Sequence, residues 1–131
     1  MNTKRLRALA PDLNRTAPRS PRAPLGEDFP ALAARLVDKC RAELAGLSGS
    51  YQYDCQLDRR FFAATGMEAG RLRDFIATGA DDQEIASWMR AHARSSRDEI
   101  VAWGRRMRRN PLLRLLDFED WVHRRRHAGG R

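Results

Sequence analysis

A chain of 131 residues, 42% hydrophobic, with 25 Lys or Arg against 17 Asp or Glu and a net charge of +8, reads as one basic globular domain. The apolar share is too high for general disorder, and no run approaches the roughly 18 apolar residues that a membrane span needs. The N-terminus, MNTKRLRALAPDLNR, is basic but lacks the apolar stretch of a secretory signal, so the expected compartment is the cytoplasm.

The charge is unevenly placed. Residues 1–25 hold six basic groups against one acid, residues 26–102 ten against thirteen, and residues 103–131 nine against three. The excess is almost all arginine, since Lys4 and Lys39 are the only lysines. Such a skew follows genomic base composition as readily as it follows a need for guanidinium groups.

Residues 1–28 carry Pro11, Pro18, Pro21, Pro24 and Gly26. Repeated prolines remove backbone donors and favour extended chain, which predicts an arm, with a short amphipathic turn through Leu6, Leu9 and Leu13. From Pro30 the pattern becomes helical: Phe29, Leu32, Leu36, Val37, Cys40 and Leu44 share a face, Arg35, Asp38, Lys39, Arg41 and Glu43 fall elsewhere on the wheel, and Gly46 marks a stop. Cys40 reads as a small buried hydrophobe. Residues 46–57 are punctuated by Gly and Ser and then alternate Tyr51, Tyr53 and Cys55, the pattern of an ordered loop or one short extended segment.

Asp58 is then expected to cap a helix carrying Phe61 and Phe62 that ends at Thr65-Gly66. Leu72, Phe75 and Ile76 mark another short helix, closed by Gly79. Asp81 with Glu84, and Ser96 with Glu99, are capping-box signatures for two further helices. Asn110-Pro111 separates the second of these from a last helix carrying Leu112, Leu115, Leu116 and Val122. The fold expected is all-α: five or six short helices with an extended N-terminal arm, leaving room for one short extended segment at Tyr51–Cys55. Its organisation is an arm over 1–28, a single helical domain over 29–126 and a frayed tail over 127–131.

Two stretches carry more than composition. PRSPRAPLG followed by LVDKCRAELAG, and then YQYDCQLDRRFFAATG, resemble a bacterial family known as domain of unknown function number five thousand and sixty-nine. DDQEIASWMRAHA and RDEIVAWGRRM resemble its next two elements. The resemblance covers roughly residues 17–107, and beyond Met107 the chain departs into a Leu/Arg-rich tail. It implies a small helical protein and supplies no chemistry.

The densest functional candidate is the loop bearing Tyr51, Tyr53, Asp54, Cys55, Asp58 and Arg59, with Arg60 beyond it, because loops held in a helical frame are where sites concentrate. A purely structural use of the same residues is the more common outcome, with tyrosines packed and Asp58 capping. A nucleophilic Cys55 needs a base, and the only histidines are His92, His123 and His127. Asp120, His123 and His127 recur at helical spacing, but nothing completes a metal set beside Arg124, Arg125 and Arg126.

No cofactor, metal or membrane partner is therefore expected, and the catalytic set is empty. The basic candidates are Arg15, Arg19 and Arg22 on the arm, and Arg105, Arg106, Arg108 and Arg109 at the end of the penultimate helix. Either group can track a phosphate backbone. The two helices over 81–109 fit an αα-hairpin better than a DNA-reading motif. The three tryptophans sit at core spacing, so no stacking platform is expected. The leading expectation is a non-catalytic binding module for a macromolecular partner, protein or nucleic acid. Nucleic-acid binding through the basic ends is the first alternative, and an enzyme at the Tyr51–Arg60 loop the second.

Overall fold

A computed structural model describes residues 3–128 of the chain, and over that span it is all-helical. The helices are α1 (Thr3–Leu9), α2 (Ala33–Leu44), α3 (Gln56–Thr65), α4 (Ala69–Ile76), α5 (Asp82–His92), α6 (Arg97–Arg108) and α7 (Pro111–Ala128). Seven is more than the five or six expected, and the unexpected one is α1, inside the segment read as an extended arm. The prolines begin at Pro11, so nothing in Thr3–Leu9 forbids a helix. Seven residues cannot sustain one alone. Burial of Leu6 and a 2.9 Å hydrogen bond from Arg5 to Glu84 hold it to the rest of the molecule.

The remainder of the N-terminal segment wraps the domain. Leu13 donates its N–H to Leu47 at 2.8 Å, and Pro21 accepts the N–H of Leu32 at 2.8 Å. Leu13 and Leu25 are buried, and Leu25 and Phe29 face each other across a tight turn. No strand forms among the described residues. The stretch at Tyr51–Cys55 is a turn, because Asp54 takes a left-handed φ of 61° that breaks any extended run.

Helix α2 is the axis of the fold. It begins three residues later than Pro30 suggests, since Leu32 has a φ of 70°, a conformation costing a non-glycine residue about 1–3 kcal/mol. The Pro21 hydrogen bond and complete burial of the Leu32 side chain hold it there. At the other end Gly46 adopts φ 75°. Its N–H and that of Leu47 close back on the carbonyls of Glu43 and Ala42, satisfying two otherwise orphaned groups.

Every residue from Ala33 to Ala42 is buried. Leu36, Val37 and Cys40 meet Phe61, Leu72, Ile76, Ile85, Met89 and Leu113 in one core. The same burial takes in Arg35, Asp38, Lys39 and Arg41. Each is paired: Arg35 with Asp120, Asp38 with Arg19, Lys39 with Asp58 and Arg41 with Asp82.

The outer helices follow their local signals. Both capping boxes form, with Glu84 N–H donating to Asp81 at 2.8 Å and Glu99 N–H to Ser96 at 3.2 Å. Helix α6 lies against the start of the core through Gly104, where an added Cβ would stand 2.7 Å from Cδ of Pro30. The tail expected from His127 is still helical at His127 and Ala128; its last three positions lie outside the described residues. Among the described residues no helix is long and apolar enough to cross a membrane.

Candidate functional site

The loop before α3 and the inner face of α7 enclose a cleft of about 390 Å³ over α2. Arg35 and Lys39, one helical turn apart on α2, reach its floor, and Tyr51, Cys55, Asp120 and His123 line its sides. Arg35 binds Asp120 through two hydrogen bonds of 2.6 and 3.1 Å. Tyr51 donates its hydroxyl to the same carboxylate at 3.0 Å. Burial, and then the Asp120 charge, push the Tyr51 phenol above its usual range. The guanidinium of Arg35 also lies 5.6 Å from the Tyr51 ring centre.

Lys39 pairs with Asp58 at 2.8 Å and donates to the Cys55 sulfur at 3.4 Å. Asp58 is not the cap of α3. That position belongs to Cys55, and Asp58 lies three residues further on. There it accepts the Asp54 N–H at 2.9 Å, which fixes the left-handed turn. Tyr53 points the other way. Its hydroxyl donates to the Ala69 carbonyl at 2.7 Å and its ring meets Phe62 edge-on. Burial dominates the upward shift of its phenol. Arg59 is exposed and lies 3.7 Å from Asp54.

Of the six loop candidates, then, Tyr51 and Cys55 reach the cleft. Tyr53 and Asp58 are committed to the fold, and Asp54 and Arg59 form a surface pair. Sequence reasoning missed Arg35 and Lys39. Four charges within a run that is otherwise core-like were the available signal, since an interior helix carries charge only where partners meet it. His123 donates from Nε2 to the Leu13 carbonyl at 3.0 Å, and His127 from Nδ1 to the His123 carbonyl at 2.8 Å. Among the described residues no three His, Cys, Asp or Glu side chains converge to hold a metal.

The basic candidates separate into two kinds. On the N-terminal segment, Arg19 bridges Asp38 at 3.0 Å and Asp82 at 2.7 Å, and Arg22 reaches Asp117 at 2.9 Å. Burial disfavours the Arg19 charge, but the hydrogen bonds from Asp82 and Asp38 outweigh it and raise the pKa. Arg15 is exposed. Near the C-terminus, Arg105, Arg106, Arg108 and Arg109 are exposed and, among the described residues, join no ion pair; Arg114, Arg124 and Arg126 behave alike.

The aromatic residues also depart from expectation. Trp103 packs edge-on to Phe61, and Trp88 stacks between Phe75 and His92. Trp121 does not join the core. It is 50% exposed, Phe118 beside it is 60% exposed, and their rings are near-parallel with centres 6.0 Å apart. Arg125 covers the Trp121 ring at 5.3 Å. Helical spacing placed Trp121 inside, yet α7 turns Leu113, Asp117 and Asp120 inward instead.

No curated protein matches the chain. A family match runs through residues 15–122, so it extends beyond Met107, the limit of the resemblance read from the sequence, and takes in the Asp117 and Asp120 anchors of α7. By that match the chain belongs to the family described as Domain of unknown function (DUF5069).

Proposed function

We propose that this protein is a non-catalytic binding module that holds a nucleic acid against the surface formed by the last turn of α6 and by α7. The observation that carries this reading is the sorting of its arginines. Those of the N-terminal segment that contact carboxylates, Arg5, Arg19 and Arg22, are taken up by the protein's own acids. The exposed arginines at 105, 106, 108, 109, 114, 124 and 126 have no such partner among the described residues. Exposed Lys4, Arg7, Arg15, Arg60, Arg71 and Arg94 also join no ion pair among the described residues, but they are scattered along the chain. A protein of net +8 whose densest group of such cations lies on the last turn of α6 and on α7 is electrostatically suited to a phosphate backbone.

The Tyr51–Asp58 loop supports catalysis poorly. Both phenols have acceptors, Asp58 is held by Lys39, and the Cys55 thiol contacts an ammonium group already engaged by a carboxylate. A general base would have to be freed from these bonds before it could accept a proton.

The test is binding of a labelled oligonucleotide across a salt series. The logarithm of affinity should fall linearly with the logarithm of salt, as counterions return to phosphates. Changing Arg105, Arg106, Arg108 and Arg109 together to Gln should weaken binding and flatten that line. Affinity that does not change with salt contradicts the reading.

A further inference from the structure

We propose, resting on the nucleic-acid reading, that the occupant of α7 is a single strand whose unpaired bases stack on Phe118 and Trp121. Positions 114, 118, 121 and 125 are spaced by four, three and four residues. At about 100° per residue they fall within a sector of roughly 60° on the helix. The stripe reads Arg114, Phe118, Trp121, Arg125: a cation, two aromatic rings and a second cation, all four exposed. The two rings lie 26° from parallel, and Arg125 stacks on the outer one. Ring faces flanked by guanidinium groups are the elements from which single-strand surfaces are built, since every base has a π face and every linkage a charge. A duplex keeps its base faces covered and has no use for the rings.

The other exposed apolar residues of α7, Leu112 and Leu115, continue from Phe118 at three-residue spacing, each step about 60° further round the helix, and so wind away from the stripe. Leu112 and Trp121, both partly or half exposed, are nine positions apart, which places them on opposite sides of the helix at about 100° per residue. A helix lying on a lipid surface, or seated in a partner's groove, presents one continuous apolar face instead. The winding distribution on α7 lacks that face, while the basic-aromatic sector is intact.

Fluorescence anisotropy of a short labelled single strand and of its duplex, with the full chain at one salt concentration, tests this. The single strand should bind more tightly. Trp121→Ala should weaken it by about tenfold without altering the salt slope, and Trp121→Phe should restore most of the loss. Loss of a merely structural side chain would weaken strand and duplex alike. Equal affinity for the two forms, or an unchanged Trp121→Ala variant, overturns the single-strand inference while salt-dependent binding leaves the broader reading standing. Binding to anionic phosphatidylglycerol vesicles with none to either oligonucleotide overturns both.

Discussion

Arg35 of α2 and Asp120 of α7 form a two-pronged ion pair, with Nη1 to Oδ2 at 2.6 Å and Nη2 to Oδ1 at 3.1 Å. Both side chains are almost completely buried, and the Tyr51 hydroxyl closes the remaining side of the carboxylate. This pair ties the last helix to the central one, and so fixes which face of α7 looks outward. Removing one partner of a buried pair strands the other. Asp120→Ala should therefore cost about 3–5 kcal/mol, with most of it recovered in an Arg35→Met/Asp120→Leu double variant. Urea unfolding measures both, and a cost below about 1 kcal/mol, as for an exposed pair, would show that the pair does not anchor α7.

The two thiols should behave differently. Cys40 is fully buried, and burial pushes its pKa up to about 12. Cys55 lines an open cleft. Since the thiolate is the reactive form, a thiol-disulfide reagent at neutral pH should modify one cysteine of the native protein, Cys55. The second should react only after denaturation. Two equal fast rates, or a Cys55→Ser variant that still reacts promptly, would contradict the placement of Cys40.

Stability should be flat through neutral pH and fall in the acid range. Asp28 is held below the usual carboxylate range, first by the hydrogen bond from Arg97 and then, against some opposition from burial, by Arg90. Asp82 is likewise lowered; burial pulls it upward, but Arg19 and Arg41 outweigh that. A carboxylate whose folded pKa lies below its unfolded value of about 3.9 stabilises fully above that value and loses its contribution as pH falls through the folded pKa. Melting temperature should hold from pH 7 to about 5 and decline steadily below about 4. Asp82→Asn should start lower and decline less. A midpoint that drops between pH 7 and 6 would point to another group.

Much of the fold was legible because its signals are local. Asp81 with Glu84, Ser96 with Glu99, Gly46 and Pro111 each act within one helical turn, and each does what its spacing predicts. The errors were of the opposite kind. Burial of Arg35, Lys39 and Arg41 depends on Asp120, Asp58 and Asp82, which are remote in sequence and brought near only by the fold. Asp58 has the residue type of a cap, but the strain-bearing turn at Asp54 shifts the start of α3 to Gln56. At the candidate site, Tyr51 and Cys55 were legible as a loop feature. Their cationic floor was not, because a charged side chain on a helix wheel looks solvated until its partner is known.

Gly104 shows how a small residue escapes notice for the same reason. In an exposed helix, Gly→Ala gains about 1 kcal/mol of propensity. Here the added methyl would meet the Pro30 ring at 2.7 to 3.2 Å, and a ring fixed in its backbone yields poorly. Gly104→Ala should therefore be destabilising by about 1–2 kcal/mol net, within the usual cost of overpacking. A stabilised variant in thermal melts would mean that α6 shifts freely away from Pro30.

The division of arginines between the protein's own carboxylates and an outside partner is tested most directly by the salt slope of oligonucleotide binding in two variants. Arg19→Gln removes the bridge between Asp38 and Asp82; it should lower the melting temperature and leave the slope of the folded protein unchanged. The combined Gln variant of Arg105, Arg106, Arg108 and Arg109 should keep its melting temperature and lose about 0.7–0.9 of slope for each phosphate contact removed. If Arg19→Gln flattens the slope as much as the quadruple change does, or the quadruple change leaves it intact, the division does not hold.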